Sequence, residues 1–348
     1  MSIPQPVELI GSPGSPYTRK MLALLRYRRI PYHMIWGDVT AELVKRDIPV
    51  PQLPFLPTFL YQDEAGSRVP RSDSTPIIRE LEQAFTGRSV LPEDPALAFI
   101  DYLLEDFADE WCTKYMFHYR WYFEADADNA GSLLPTYHDV TLPADTWKQF
   151  KTIFTERQVG RLRYVGSNDE TAPIIDASYR RLLQALESCF SEQPFLLGQR
   201  PGAGDFALFG QFSQLVGCDP TSRAIAHELS MRTVGWMGLV EDLCGLEPQD
   251  SDWQKPEQLS DALKGVLTEI GRVYAPALLA NAKAVQAGEK QWQAEIDGGD
   301  WSQQAFPYQA KCLGWINAEY RALSDGDRKR VDALLAGTGC EAILLPEA

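Results

Sequence analysis

The first ninety residues hold a run of short segments whose order permits few folds. Residues 7–10, Val-Glu-Leu-Ile, form an apolar stretch closed by Gly11, Pro13 and Gly14, the pattern of a strand ending in a turn. Ser15-Pro16 comes next. Serine is a preferred helix cap, and proline suits the first helical position, where its missing N–H costs nothing. Tyr17, Met21, Leu24, Leu25 and Arg28 then recur at helical spacing, an apolar stripe with a cationic end. Pro31 stops that helix, and residues 32–36 read as a second strand. A strand, helix and strand of this length predict a parallel pair with a right-handed crossover. Residues 38–47 suit a short helix. Residues 58–61 and 68–69 suit a hairpin around Glu64-Ala65-Gly66. Residues 74–85 suit a closing helix, reached through Arg71-Ser72-Asp73-Ser74-Thr75-Pro76.

A βαβ unit followed by a ββα unit is a thioredoxin-like arrangement. With Asp73-Ser74 opening the last helix and a long helical region behind it, the chain resembles the glutathione S-transferase superfamily over about residues 5 to 250. The resemblance returns in residues 194–210, Pro-Phe-Leu-Leu-Gly-Gln-Arg-Pro-Gly-Ala-Gly-Asp-Phe-Ala-Leu-Phe-Gly. This segment is similar to the loop and buried helix at the heart of the family's second domain. There a Ser/Thr-x-x-Asp box caps the helix; this chain keeps Asp205 but carries Gly202 at the hydroxyl position, and glycine is a tolerable cap. The expected architecture is an α/β thioredoxin-like N-terminal domain over 1–90, an all-α domain over 95–250 and an extra helical extension over 251–348. Everything beyond about residue 95 is expected to be helical.

In the second region, residues 95–124 carry a broad aliphatic and aromatic pattern, and residues 126–144 read as a polar loop broken by glycine and proline. Helices are expected at 145–164, 173–192, 205–215 and 230–245, the last with Trp236 turned inward. Residues 248–256 read as a linker. Helical patterns return at 259–287 and 308–337. Their apolar positions, among them Leu263, Val266, Leu267, Ile270, Leu313, Ile316 and Val331, are too many to leave in water, so the extension should dock on the second domain.

Charge narrows the partners. Of 33 Lys/Arg and 48 Asp/Glu, residues 1–90 hold 11 and 9, which leaves 22 against 39 for the rest. So acidic a surface disfavours nucleic acid, whose binding rests on phosphate neutralisation, and disfavours an anionic membrane. The mildly cationic first ninety residues are the natural home of an anionic ligand. No apolar run approaches a membrane span, and the N-terminus lacks a signal-peptide pattern. Six cysteines (112, 189, 218, 244, 312, 340) without a Cys-x-x-Cys pair suit reduced thiols in the cytoplasm rather than a disulfide frame. Four histidines, none in a ligand-like pair, argue against a metal site.

The resemblance implies glutathione as co-substrate and activation of its thiol. Ser15 stands at the mouth of the first helix, where its hydroxyl and the free helix N–H groups can favour a thiolate. Tyr17 is a second candidate hydroxyl. The Ser-Pro pair serves equally as an ordinary helix cap, and the sequence leaves both readings open. Nothing beside Ser15 makes a hydrolase triad.

The resemblance also implies a cis bond at Leu56-Pro57, with the Leu56 backbone pairing to the ligand's cysteinyl unit in the manner of an added strand. Asp73 and Ser74 would hold the γ-glutamyl carboxylate and amine. One departure stands out: Leu53-Pro54-Phe55 replaces the Lys or Gln that many members carry before the cis-proline. The glycyl end is thus left to another donor, such as Arg68 or Arg71, or to none.

A pocket for a small hydrophobic electrophile is expected between the domains, walled by Trp111, Lys114, Tyr115 and His118. Shorter relatives dimerise through a surface that a docked extension could cover, so a homodimer is left open. Two functions follow: a glutathione-dependent transferase, or a non-catalytic relative used for binding or as a scaffold.

Overall fold

The computed structural model describes residues 1–344, and its N-terminal part matches the sequence pattern closely. Strands β1 (Val7–Gly11), β2 (Tyr32–Trp36), β3 (Thr58–Gln62) and β4 (Arg68–Arg71) form one sheet in the order β2-β1-β3-β4. β1 and β2 run parallel with Leu9 opposite Met34, whereas β3 lies antiparallel to both β1 and β4. Helices α1 (Pro16–Tyr27), α2 (Val39–Val44) and α3 (Ser74–Ala84) complete the thioredoxin-like unit. The α1 junction is a capped turn, as serine and proline there dictate; at α3, Asp73 takes the cap position without a side-chain cap bond.

The rest of the chain is mainly helical. It comprises α4 (Pro95–Glu110), α5 (Cys112–Tyr122), α6 (Glu124–Leu133), α7 (Ala144–Val159), α8 (Ala172–Glu192), α9 (Ala203–Leu215), α10 (Pro220–Leu229) and α11 (Met231–Val240). All of α9 is buried, and it packs against both α1 and α4. Its Gly210 makes that approach possible, since a Cβ there would stand 2.6 Å from the Pro16 carbonyl oxygen. The first helix is thereby seated directly on the helical domain. Arg19 and Arg26 pair with Glu241, and Arg26 Nε reaches the Glu241 carbonyl at 3.0 Å.

Two expectations need correction. Residues 126–144 are not a loop throughout, because α6 occupies their first part. Ala127 and Ala130, three apart on one face, bury against Trp121, and the buried Asp126 carboxylate accepts the Thr221 N–H at 2.9 Å. Small residues carry that helix, so its apolar stripe is faint.

The extension is not purely helical either. After α12 (Asp261–Glu269), a π turn (Ile270–Tyr274) and α13 (Ala275–Gln286), strands β5 (Gln291–Ile296) and β6 (Gly299–Gln304) form an antiparallel hairpin. Its turn, Asp297-Gly298, takes positive φ at both residues (53° and 75°), as a two-residue hairpin turn of this kind requires. α14 (Pro307–Ala322) and α15 (Asp325–Leu335) follow.

The extension docks, as its apolar content demanded. Leu263, Val266, Leu267, Ile270, Leu313, Ile316 and Val331 are all buried. Much of its contact falls on α4. Tyr274 OH donates to Asp106 Oδ2 at 2.5 Å, Arg330 Nη2 donates to Asp94 Oδ2 at 2.7 Å, and Tyr320 sets its ring edge-on to Phe99 at 5.7 Å.

Candidate functional site

Three backbone features meet at one end of the sheet: the start of α1, the β3 entry and the start of α3. Ser15 caps α1 in an extended conformation, and its Oγ accepts the Thr18 N–H at 3.2 Å. The same Oγ lies 3.5 Å from the Leu56 carbonyl oxygen, too far for a strong bond, so its proton is free to turn elsewhere. Pro16 has no N–H, and among the described residues the Tyr17 N–H has no acceptor. The Leu56-Pro57 bond is cis. The Leu53-Pro54-Phe55 segment lies at the surface, with Phe55 56% exposed.

Asp73 precedes α3 with φ at 89°, a conformation few non-glycine residues adopt. Such residues gather at ligand sites because they aim a side chain that a relaxed backbone would not. Asp73 Oδ2 accepts a hydrogen bond of 2.9 Å from Tyr308 OH, which arrives on α14. Burial raises the Asp73 carboxyl, and the Tyr308 bond and the nearby Lys20 charge work against that rise.

Ser74 is buried, and its Oγ accepts from Lys20 Nζ at 3.1 Å. Lys20 itself is wholly buried on α1, bonding Glu105 Oε1 at 2.8 Å and Asp109 Oδ2 at 2.6 Å. Burial alone would lower the ammonium, but the Asp109 and Glu105 carboxylates overcome it and push Lys20 up to about 12.

The loop before Ser15 is held from the helical domain. Arg120 Nη1 donates to the Gly14 carbonyl at 3.1 Å, while its Nε pairs with Asp219 Oδ1 at 2.9 Å. Gln214 Nε2 donates to the Pro13 carbonyl at 3.1 Å.

Other expected residues land differently. Tyr17 OH donates to the Asp109 carbonyl at 2.7 Å, and burial, with the Glu110 and Asp109 charges, raises it well above the usual phenol range. It therefore ties α1 to α4 and has no proton to offer a thiolate. Trp111, Lys114, Tyr115 and His118 do not wall a cleft; all four are buried. Trp111 packs on Trp301 of β6 at 5.4 Å. Lys114 Nζ donates to Gln303 Oε1 at 2.9 Å, and burial pushes it down to about 7. Tyr115 OH and Ser178 Oγ lie 2.6 Å apart, and His118 Nδ1 lies 2.7 Å from Ser167 Oγ. These side chains join the β5–β6 hairpin and neighbouring helices to α5.

Lys20 and Tyr308 were not among the residues singled out from the sequence. Lys20 alone left a trace: it falls within the apolar stripe of Tyr17, Met21 and Leu24, where an unpaired lysine is improbable. Among the described residues no group of three or more His, Cys, Asp or Glu side chains could hold a metal ion, and no helix is long and apolar enough to cross a membrane.

A thioredoxin-like sheet, a capped serine, a cis-proline and an acidic-serine helix start, backed by helices, define a class. The glutathione S-transferase N-terminal domain matches residues 9–89, and the glutathione S-transferase C-terminal domain matches residues 169–238. Over those residues the chain carries the two domains of the glutathione S-transferase superfamily. No curated protein matches it. Among solved structures, a Tau class glutathione S-transferase from mango is 18% identical, with 74% of this chain and 96% of that one covered at a TM-score of 0.41. A glutathione S-transferase from Rhodospirillum rubrum is 16% identical, with 74% and 99% covered at 0.42. A β-etherase from Sphingobium is 18% identical, with 70% and 96% covered at 0.44.

Proposed function

We propose that this chain binds glutathione across Ser15, Leu56-Pro57 and Asp73-Ser74 and activates its thiol for attack on a small hydrophobic electrophile. The observation that carries this reading is the Ser15 hydroxyl at the start of α1, 3.5 Å from the Leu56 carbonyl beside a cis-proline. A free thiol of this type titrates near ~8.5. The Ser15 proton and the positive end of α1 both favour the thiolate, so more nucleophile exists at neutral pH. Leu56 pairs its backbone with the cysteinyl unit. Ser74 donates to the γ-glutamyl carboxylate, and Asp73 accepts from the amine. Six free cysteines suit a cytoplasmic, reducing setting.

A second reading, a binding or scaffold protein without catalysis, has one observation in its favour: Tyr308 from the extension already bonds Asp73. Calorimetry with glutathione and a conjugation assay with a chloronitrobenzene separate the two. Ser74→Ala should weaken glutathione binding about tenfold, the worth of one bond to a charged group. Ser15→Ala should leave affinity nearly intact and lower the rate about a hundredfold, with the thiolate titration moved upward. Tight binding with no conjugation by the unaltered chain would favour the scaffold. Equal affinity losses for both variants, with no separate rate effect at Ser15, would contradict the assignment.

A further inference from the structure

Both side chains of the Asp73-Ser74 pair have protein partners, and the two partners have opposite consequences for a ligand. An ammonium only donates, so the Lys20 bond to Ser74 Oγ leaves the Ser74 proton free for an incoming carboxylate. Tyr308 OH instead donates to Asp73 Oδ2 at 2.9 Å, so an ammonium that approaches that oxygen meets the phenol.

Tyr308 is well placed to yield. Its ring sits between Phe306 at 6.3 Å and Trp315 at 5.7 Å, both about half exposed at 47% and 43%. The helix that carries it is pinned independently. Asn281 clamps Phe306, accepting its N–H at 2.7 Å and donating to its carbonyl at 2.9 Å. Gln309 Nε2 donates to Glu110 Oε2 at 3.2 Å. The phenol can therefore rotate away while α14 stays docked.

We propose that Tyr308 gates the amino-group half of the γ-glutamyl subsite, capping Asp73 until a ligand ammonium displaces it. This rests on the glutathione reading above and adds its regulation. Once the phenol leaves, a partly buried carboxylate has lost a donor and must gain one. The gate thus lowers the affinity of γ-glutamyl ligands that bear a free ammonium by the strength of the bond they break, and leaves ligands without one untouched.

Calorimetry on the full chain and on Tyr308→Phe tests this with two probes: glutathione, and its des-amino analogue with a glutaryl group in place of γ-glutamyl. The substitution keeps the ring and its aromatic contacts, so the fold should hold. Glutathione should bind Tyr308→Phe about tenfold more tightly, one charge-assisted hydrogen bond's worth, while the analogue binds both proteins alike. Equal or weaker glutathione binding by the variant overturns the gate alone, and so does equal tightening of both probes. Failure of glutathione to bind either protein overturns the glutathione reading and the gate with it.

Discussion

Lys20 shows how one buried charge can organise a site from behind. Its ammonium spans α1, α3 and α4 through Ser74, Glu105 and Asp109, and no part of it reaches water. Removing one partner of a buried ion pair strands the others in low dielectric. Lys20→Met leaves the buried Glu105 and Asp109 carboxylates with Arg79 Nη1, 3.8 Å from Glu105 Oε2, as the remaining close cation on Glu105. The variant should lose about 3–5 kcal/mol in urea unfolding. A loss under ~1 kcal/mol would mean that the pair is not carrying charge as described. Ser15, Asp73 and Ser74 were legible in the sequence because helix caps leave a local signature. Lys20 and Tyr308 were not, because their partners lie 85 and 235 residues away. Tyr17 was misjudged for the same reason: spacing places a hydroxyl near Ser15 but does not reveal that it is tied to Asp109.

At the scale of elements, the start of α9 explains a departure that the sequence could only note. Gly202 stands where a capping hydroxyl was expected, and Asp101 of α4 supplies the oxygens instead. The Ala203 and Gly204 N–H groups donate to Asp101 at 3.1 and 3.0 Å, while Asp205 accepts from the Gly202 N–H at 2.9 Å. A Cβ on residue 202 would stand 2.3 Å from Asp101 Oδ1, so only glycine admits the carboxylate. Gly202→Ser restores the usual cap residue and should nonetheless destabilise by about 1–3 kcal/mol, because one hydroxyl replaces two displaced bonds. In an Asp101→Ala background the same serine should be neutral or helpful, since the obstruction is gone. Thermal melts of the four proteins decide it; a stabilising Gly202→Ser in the unaltered chain would refute the account. The elements of the sheet unit were readable from period-2 runs and turn residues. The β5–β6 hairpin was missed although Asp297-Gly298 is a strong turn signal, because it sits between two long helical patterns that drew the whole extension into one class.

Across the whole molecule, α4 is where the sheet unit, the buried α9 and the extension converge, and it brings a row of carboxyls into their shared interior. Burial raises Asp106 to about 7, and raises Glu110 to about 8 with the Asp106 and Asp109 charges adding. Burial likewise raises Asp205 to about 7 and Asp101 well above the carboxylate range. In the unfolded chain such groups release their protons near pH ~4. Above that pH the folded chain holds protons that the unfolded one has lost. The stabilisation is therefore complete below about pH 4 and disappears as pH rises through the folded values, at up to about 1.4 kcal/mol per pH unit for each group. Two buried bases run the other way. Burial pushes His118 down to about 4, so its contribution is regained as pH climbs to ~6.5. Burial pushes Lys114 down to about 7, so the penalty for keeping it neutral relaxes between there and ~10.5. The carboxyls outnumber His118 between about pH 5 and 7, and Glu110 and Lys114 nearly cancel between about 7 and 8. The melting temperature should thus fall between about pH 5 and 7, stay level to pH ~8, and rise above it as the Lys114 penalty relaxes. Glu110→Gln keeps an oxygen for Gln309 and removes the proton, so its melting temperature should turn upward already between pH ~7 and ~8, where the unaltered chain is flat. Melts of both proteins from acid to alkaline pH test this, and a steady rise from pH ~5 to ~7 in the unaltered chain would show that these carboxyls ionise freely inside the fold.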